Sequence, residues 1–401
     1  MRWARNHRNM TLILLASTSN PMNNTPKTGG IKEIARALGI SIGTVDRVLH
    51  NRPGVSLKTK ARVLDMAEQI GYKPNLAAVA LKLNRRIEIA VVLPKQISHF
   101  FDPLRAGIRA AADATVGMDV KVTFHEYPRM GQGDLELLEA RLKDRCDGII
   151  FTPGNPRKLD PIIHRLAAQG TAMLCVASDA PASRRIGLVS AHAYTSGALA
   201  AELLAHKLTR KTYVATITGE LTTLDHAEKL RGFAATLAML APHLSLLPAV
   251  ESHERPKEAY RQTMALLHGE TKPQGLYIST ANSIPVLQAL EEEGLLGKIQ
   301  VITTDLFQEL VPLIETGKIL ATLYQRPFTQ GKVAFESLLT YLLEEKKISP
   351  MIRLAPHIIF RSNLPLFTDR LGDISDSEGS WIGDPTSMPG ITRTSISRSP
   401  G

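Results

Sequence analysis

The 401-residue chain lacks disulfide or metal-binding cysteine patterns and long apolar runs. Its two cysteines, Cys146 and Cys175, lie in apolar stretches without CxxC or Cys/His spacing. This pattern argues against a disulfide framework or a zinc site, and it predicts reduced, buried thiols in the cytoplasm. No stretch approaches the roughly 18 apolar residues of a membrane-spanning helix, so no membrane association is expected.

Signatures of several common enzyme classes are also missing. The chain has no GxxxxGK[ST] phosphate loop, no HExxH zinc motif and no glycine-rich fingerprint after its first predicted strand. Isolated histidines such as His125, His164 and His206 are typical of helix surfaces or satisfied polar groups. We therefore expect a binding protein rather than an enzyme, with no cofactor and no metal.

Positive charge is concentrated near the amino terminus. Residues 31–86 contain 11 Lys and Arg against 4 Asp and Glu, a surplus of seven in a chain whose net charge is +10. Residues 1–30 add four positive charges, so residues 87–401 sum to −1. A basic head on a neutral body predicts a polyanionic partner for the head only.

The head has the periodicity of three short helices. The first would end at Gly39 and bury Ile31, Ile34, Ala35 and Leu38. The second, capped by Ser41, would bury Val45, Val48 and Leu49 and leave outward Ile42, Gly43, Asp46, Arg47 and His50. A third from Ser56 is expected to pack inward Leu57, Ala61, Leu64, Ala67 and Ile70. This arrangement predicts a helix-turn-helix, although a plain helical domain with a basic surface would share the periodicity.

The head resembles the DNA-binding domain of the lactose-repressor (LacI/GalR) family over its whole length. The matching elements are I-K-x-I-A, G-I-S, T-V-x-R-V-L, V-S-x-x-T and G-Y-x-P-N, at the family's spacing. The resemblance implies that Arg47 makes a two-bond contact to guanine, while Ile42 and Gly43 offer at most an apolar contact. It implies DNA contacts from Ser41, Ile42, Gly43, Thr44, Arg47, His50, Asn51, Ser56, Thr59, Leu81 and Lys82.

The segment after Pro74 resembles the family's hinge helix, which orders on operator DNA and inserts a leucine into the minor groove. Leu81 matches that leucine by spacing; the alternative is that it packs within a linker. The head also departs from the family pattern. Asp46 stands where Ser is frequent, and Val79 replaces an Arg that is common two residues before the leucine.

From Ile87 onward, apolar β-branched runs alternate with helical stretches such as DPLRAGIRAAADAT. The predicted strands are IEIAVVLP, DVKVTFH, GIIFTP, AMLCVAS, IGLVS, YVATITG, GLYIST and IQVITTD. This order predicts a multidomain protein, with an all-α helix-turn-helix head and an α/β body of two Rossmann-like lobes with parallel sheets. Ligands of such sheets bind at the carboxyl ends of the strands, so the lobes would enclose a binding cleft.

Acids, amides and an aromatic ring follow these strands, which suits a polyhydroxylated ligand, although each residue singly could cap the next helix. The body resembles the periplasmic-binding-protein-like (ribose-type) sensor domain of the same family. The motifs are VVLPxxxxxFFxxLRAGIRAAA, CDGIIFTP, ITGxxxxxDHAEKLRGF, STANS, ITTD and LYQRPFTQGKVA. The resemblance implies effector contacts from Phe101, Asp102, Asn155, Asp179, His192, Lys229, Asn282, Asp305 and Gln325. Phe101 would stack on the ligand, and Gln325 would lie at a crossover between lobes.

The cleft also departs from the family pattern. Lys229 stands where an effector-binding Arg is usual, and Lys lacks the planar fork that grips two oxygens at once. Ala177 and His192 replace acids that are often found there. Together, His192 and Lys229 raise the hypothesis of an acidic or phosphorylated sugar.

These patterns predict five segments: a disordered extension (1–29), the helix-turn-helix (30–73), the hinge (74–86), the two-lobed effector-binding and dimerisation domain (87–371) and a disordered tail (372–401). We expect the protein to be a cytoplasmic, nucleoid-associated transcriptional regulator that acts as a repressor. It would bind double-stranded operator DNA as a homodimer or larger oligomer, under control of a sugar-like effector. The alternative is a solute-binding receptor of an uptake system, which would have no use for the head.

Overall fold

The computed structural model describes residues 30–49, 52–70, 86–115, 117–280, 282–344 and 348–368. Contacts divide the chain into two compact units, residues 1–75 and 76–401. Within the described ranges, no helix is both long and apolar enough to cross a bilayer. The predicted extension, the tail and residues 74–85 of the hinge lie outside the described residues, as do the predicted DNA contacts His50, Asn51, Leu81 and Lys82.

The first unit contains three helices around a small apolar core: α1 (Ile31–Leu38), α2 (Ile42–Leu49) and α3 (Leu57–Gln69). Gly39 ends α1 with φ at 65°, a left-handed conformation that glycine adopts without steric cost. The core consists of Ile34, Ala35, Val45, Val48, Val63 and Ala67. The predicted inner faces of α1 and α2 are confirmed.

The predicted inner face of α3 is wrong in part. Leu57 is 85% exposed and Leu64 is 46% exposed, and Ala61 is exposed too. Val63 is fully buried instead, beside Ala67. Two overlapping sets of apolar residues on α3 have helical spacing, so the periodicity did not decide between them. Packing against α1 and α2 selects the set that contains Val63.

The second unit contains two lobes, each built on a mostly parallel sheet. The strands are β1 (Ile87–Pro94), β2 (Val120–Tyr127), β3 (Gly148–Phe151), β4 (Ala172–Val176), β5 (Gly187–Ala191), β6 (Thr212–Thr218), β7 (Leu244–Leu246), β8 (Val250–Glu251), β9 (Gly275–Ile278), β10 (Gln300–Thr304), β11 (Ala321–Tyr324), β12 (Ile352–Leu354) and β13 (His357–Ile359). The first lobe has the order β12-β5-β4-β3-β1-β2, and the second has β13-β11-β10-β9-β6-β7, with β8 paired to β6. All eight predicted strands are confirmed.

Helices cover both faces of each sheet. They are α4 (Ser98–Asp113), α5 (Asp134–Arg141), α6 (Pro156–Ala168), α7 (Ala193–Lys207), α8 (Leu224–Leu240), α9 (Pro256–His268), α10 (Ser283–Glu292), α11 (Val311–Glu315), α12 (Pro327–Glu344) and α13 (Pro365–Thr368). In the first lobe, α4 and α12 pack on one face and α5 and α6 on the other. In the second, α7 and α8 pack opposite α9 and α10. The predicted two-lobed α/β body is confirmed.

The chain passes between the lobes three times, at residues 191–193, 324–327 and 354–357. The second crossing carries α12 from β11 of the second lobe to the core of the first. The third crossing separates β12, which pairs with β5, from β13, which pairs with β11. Because these crossings are short, they keep the two sheets close and leave a cleft at their strand ends.

Glycines bring one helix pair in each lobe to backbone contact. In the first lobe, a Cβ added to Gly107 of α4 would lie 2.0 Å from the carbonyl oxygen of Phe328 in α12. In the second, a Cβ added to Gly197 of α7 would lie 1.8 Å from the carbonyl oxygen of Lys229 in α8. The facing helices carry reciprocal glycines, Gly331 and Gly232. Any larger residue at these positions would push the paired helices apart.

Both cysteines are free thiols. Cys175 is buried in β4, and Cys146 is half-buried just before β3. Burial raises the pKa of Cys146 to about 11 and raises that of Cys175 as well. The prediction of a buried thiol is therefore confirmed for Cys175, and both groups are held in the unreactive, protonated form.

Candidate nucleic-acid interface and ligand cleft

Two helices of the head begin with the same Ser-x-x-Thr arrangement. At α2, the Ser41 hydroxyl oxygen accepts a 3.1 Å hydrogen bond from the Thr44 backbone N–H. At α3, the Ser56 hydroxyl oxygen accepts a 3.2 Å bond from the Thr59 backbone N–H. The paired hydroxyls lie 2.8 Å apart in the first cap and 2.9 Å apart in the second. These caps fix where each helix begins, and such helix N-termini suit phosphate groups.

The outward face of α2 carries the residues that the sequence placed there. Ile42 is 51% exposed, and Gly43 and Arg47 are also exposed. Asp46 is half-buried and forms a 3.0 Å ion pair with Arg52, beyond the end of the helix. Gly43 and the exposed guanidinium of Arg47 lie one turn apart on the same side of α2. This side therefore has room to enter a major groove and contact the bases.

In the body, the two lobes touch across the cleft. The Thr223 hydroxyl donates a 3.1 Å hydrogen bond to the carbonyl oxygen of Gly154. The Gln96 amide donates to the carbonyl oxygen of Glu254. The rings of His99 and Phe307 lie 4.2 Å apart between centroids. The lobes are therefore closed on each other at their strand ends.

Lys229 lies in a buried polar network of the second lobe. Its side chain is 2% exposed, and its Nζ lies 2.6 Å from Oδ2 of Asp225, one helical turn earlier. Burial by itself lowers the pKa of Lys229, but the negative charges of Asp225 and Asp305 raise it above the ordinary value. The lysine is therefore charged and is already paired with an acid.

Asp305 and Gln325 form a second part of this network. Asp305 follows β10, is 1% exposed and has a φ of 67°, which is costly for a residue other than glycine. Its carboxylate accepts hydrogen bonds from Gln325, at 3.3 Å from the backbone N–H and 2.8 Å from Nε2. Burial raises the pKa of Asp305, and the charge of Lys229 opposes that rise. The structure thus brings together three of the predicted effector contacts.

Glu254 completes the network, and the sequence did not predict it. Its side chain is 3% exposed and accepts hydrogen bonds from Thr280 Oγ1 at 2.9 Å and Asn282 Nδ2 at 2.7 Å, while His226 Nε2 lies 2.9 Å away. Burial alone raises the pKa of Glu254, but bonding to His226, the charge of His226 and the bond from Thr280 lower it overall. His253 and Glu254 both have a left-handed backbone conformation, with φ of 50° and 52°.

Polar residues of the first lobe serve that lobe's own structure. Asn155 caps α6, since its Oδ1 accepts a 3.3 Å hydrogen bond from a backbone N–H in the first turn. Asp179 forms a two-bond ion pair with Arg185, with one N···O distance of 2.8 Å. Asp102 is 61% exposed and pairs with Arg105 at 2.6 Å. The structure therefore gives these three predicted effector contacts capping or pairing roles.

Phe101 lies in the core of the first lobe. It is 3% exposed and packs edge-on against Phe100, with 5.0 Å between ring centroids. In this closed arrangement the ring packs in the core of the first lobe, and its stacking on a ligand stays a prediction. The ring that meets the other lobe belongs to His99, because a shift of two positions on a helix changes the direction of a side chain by about 200°.

A cavity of about 600 Å³ adjoins the network beside the first crossing. His192 lines it and caps α7, since its Nδ1 accepts a 3.2 Å hydrogen bond from the Thr195 N–H. Its Nε2 lies 3.1 Å from the Arg353 guanidinium. Burial and the charge of Arg353 lower the pKa of His192, so the imidazole is neutral at pH 7. Other lining residues include Ala177, Ser178, Asp179, Ser190, Tyr194, Asp225, Glu228 and Arg231.

Two family profiles match this chain. Residues 89–346 match the periplasmic binding protein domain. Residues 30–75 match the lacI family of bacterial regulatory proteins. The chain belongs to the LacI family. Both matches fall on the units that the structure describes separately, the helical head and the two-lobed body.

Similarity to curated regulators extends along most of this LacI-family chain. Catabolite control protein A of Priestia megaterium is 24% identical over 340 residues, which cover 83% of this chain and 98% of that protein. The HTH-type transcriptional repressor PurR of Pasteurella multocida is 23% identical over 349 residues, with the same two coverages. These relatives are transcriptional regulators rather than enzymes.

Solved structures share the fold of the LacI-family body. A solute binding protein from Burkholderia graminis, in complex with D-arabinose, matches with a TM-score of 0.64 and 22% identity, over 69% of this chain and 96% of that one. GanP, a glucose-galactose binding protein from Geobacillus stearothermophilus, matches with a TM-score of 0.64 and 24% identity, over 70% and 100%. At these identities the likeness shows the fold of the body.

Proposed function

We propose that the chain is a sequence-specific transcriptional repressor whose affinity for operator DNA is controlled by a small molecule bound between the lobes of its body. The observation that carries the proposal is the presence, in one chain, of a LacI-family DNA-binding domain and a two-lobed body of the periplasmic-binding-protein fold. A solute-binding receptor of an uptake system would use the body alone. The head therefore favours a regulator over a transport receptor.

The exposed stripe of α2 supports DNA reading by the head. Arg47 is the side chain there that can donate two hydrogen bonds to guanine, and Gly43 allows the helix to approach the base edges closely. The Ser41 and Ser56 caps leave two helix N-termini suited to phosphate contacts. We assign base reading to Arg47 and Ile42, and backbone positioning to the capped helix ends.

The closed cleft supports ligand binding by the body. Buried carboxylates, amides and hydroxyls at the strand ends provide the hydrogen-bonding groups that orient a small polar ligand. The likeness of the body to proteins named for binding D-arabinose and glucose or galactose makes a sugar-like effector the leading choice. Lys229, Asn282, Asp305 and Gln325 are the predicted contacts that we retain for it.

We further propose that the protein acts as a homodimer. One recognition helix reads one half-site, so a palindromic operator requires a two-fold pair of heads. Effector and operator would then be linked reciprocally: an effector that weakens operator binding must itself bind less tightly to the DNA-bound protein.

The test selects operator sequences with the full-length chain from a random DNA library and measures their affinities by fluorescence anisotropy. Arg47→Ala should reduce discrimination against a substituted guanine by about 10- to 100-fold, the value of one two-bond contact. Arg36→Ala, at an exposed residue of the same type on α1, should instead weaken all sequences alike. Failure of the full chain to enrich any sequence would contradict the proposed function, and an unchanged preference in Arg47→Ala would contradict the role of Arg47.

A further inference from the structure

Buried charges of the second lobe do not balance. Three carboxylates, those of Asp225, Glu254 and Asp305, stand near one lysine ammonium, that of Lys229. His226, beside Glu254, and His99 of the facing lobe, near Asp305, add positive charge only when they are protonated. The side chains of Glu254, Lys229 and Asp225 are 3%, 2% and 15% exposed, so water screens them little. An excess of buried negative charge is costly, and a cation that enters the cleft would relieve that cost.

Hydrogen-bonding groups at the cleft also fit a ligand rich in donors. Within the described residues, Oε1 of Gln96 has no hydrogen-bond partner, although the same amide donates to the carbonyl of Glu254. Ser178 is 3% exposed and lines the adjoining cavity, and its hydroxyl likewise has no partner in the described part of the chain. An ammonium group brings three N–H donors together with its charge, whereas a carboxylate or phosphate brings acceptors.

Positive side chains around the cleft are poorly placed for an anion. Lys229 is fully buried and paired at 2.6 Å. Arg231 pairs with Glu228, also at 2.6 Å, and is mostly exposed. Arg353 is exposed at the rim of the cavity, where its charge helps to lower the pKa of Glu228. Lys229 and Arg231 are therefore already paired with acids, which weighs against an acidic or phosphorylated sugar held by them.

We propose that the effector carries a positively charged amino group beside its hydroxyls, as an amino sugar does, and that Glu254 selects for this charge. The proposal rests on the effector cleft of the proposed function and adds the charge of the ligand. Glu254 suits this role because the left-handed residues 253 and 254 bring the chain to the first lobe, where Gln96 contacts the Glu254 carbonyl. Its carboxylate lies among the strand-end groups Thr280 and Asn282.

Matched ligand sets test the charge. The full-length protein is titrated calorimetrically with D-glucosamine, D-galactosamine and D-mannosamine, each beside its hydroxyl parent and its N-acetyl derivative, and with D-glucose 6-phosphate and D-galacturonate. At least one amine should bind about tenfold or more tightly than its parent, which corresponds to about 1.4 kcal/mol. N-acetylation, which removes the charge, should remove that gain. A neutral or anionic sugar that binds more tightly than every amine, or a lack of binding by all three amines, overturns the proposal.

Glu254→Gln tests the residue, since it removes the charge and keeps the size of the side chain. This variant should bring the ratio of amine to parent affinity close to one while the parent sugar's affinity changes by less than about threefold. Glu270→Gln, at an exposed glutamate of the same lobe, should retain the wild-type ratio. Circular dichroism and thermal melting establish folding. If Glu254→Gln does not fold, the ratio of amine to parent affinity is measured with Asp305→Asn instead. A folded Glu254→Gln protein with the wild-type ratio contradicts the role of Glu254.

The two proposals fail in different ways. A neutral or anionic sugar that binds the cleft and changes operator affinity would leave the proposed function intact and overturn the amino group. Absence of sequence selection by the full chain would overturn the proposed function whatever the ligand titrations show.

Discussion

The two lobes of the body share a strand order and differ in how they use polar residues. In the first lobe, Asp179 and Arg185 form a one-to-one ion pair, and Asn155 caps a helix. In the second, several buried acids lie near the single ammonium of Lys229. At its strand ends the first lobe pairs Asp179 with one cation, whereas the second lobe places several buried acids near one ammonium. A common fold therefore positions the strand ends, while the charge presented there is set residue by residue.

Replacing Lys229 should give the largest difference in stability between the two lobes. Lys229→Met should lower the free energy of unfolding by about 3 to 5 kcal/mol, because it leaves buried acids without their counter-charge. Arg185→Met in the first lobe should cost less, since it leaves one acid, Asp179, without its partner, whereas Lys229 lies near several buried acids. Urea denaturation of the full-length protein at pH 7 measures both values.

A control separates charge from packing in this test. Lys298→Met, at an exposed lysine of the second lobe, should change the unfolding free energy by no more than about 0.5 kcal/mol. Equal losses for Lys229→Met and Arg185→Met would contradict the view that Lys229 neutralises more buried acids than Arg185 does.

The two lobes should respond alike to substitution of the glycines at their helix–helix contacts, because no charged group is involved there. Gly107→Ala and Gly197→Ala should each lower the free energy of unfolding by about 1 to 3 kcal/mol, because the new methyl group meets a backbone carbonyl at 2.0 Å or less. Gly269→Ala, whose Cβ would lie 3.4 Å from its nearest neighbour, is the matched control and should be nearly neutral. Thermal melting of the three variants checks this, and a neutral Gly197→Ala would contradict the close approach of α7 and α8.

Asp305 and Glu254 should respond to pH with opposite signs. Burial raises the pKa of Asp305, so its ionisation costs stability once the pH exceeds the unfolded value near 3.8. Asp305→Asn should raise the unfolding free energy at pH 7 by on the order of 1 kcal/mol, and this gain should vanish below pH 3.8. The pKa of Glu254 is lowered, so its charge stabilises the fold above pH 4.5, and that stability is lost as the pH falls through the lower folded value.

Urea denaturation between pH 3.5 and pH 7 checks the two signs, with Glu254→Gln as the partner variant. Glu254→Gln should lower stability at pH 7 and converge with the wild type in acid. A loss of stability at pH 7 in Asp305→Asn would show that the Gln325 hydrogen bonds outweigh the burial of the charge.

Long periodic elements of this chain were predictable, and short ones were not. Eight strands follow from apolar runs bounded by loops, because a buried parallel strand requires such a run. Five strands lie outside those eight: β7, β8, β12 and β13 have three residues or fewer, too short for any period to be visible, and β11 has four. Glu254 was missed for this reason, since it lies just beyond the two-residue β8.

Site residues were predictable only where the chain itself fixes their direction. Asp305 and Gln325 follow strands directly and meet as expected. Phe101 lies on a helix, where side chains two positions apart point in different directions. Phe101 packs in the core against Phe100, and His99 contacts Phe307 at the cleft. The inner face of α3 was ambiguous for the same reason, because two sets of apolar residues share its period.

The glycine contacts between paired helices have a mechanical consequence. Helices that touch through their backbones cannot slide or tilt against each other without a steric clash, so each lobe is a stiff block. Deformation is then confined to the three short crossings, which act together as a hinge between the two lobes. If a ligand binds in the cleft, we expect its binding free energy to appear as rotation of one lobe against the other, with little strain inside either lobe.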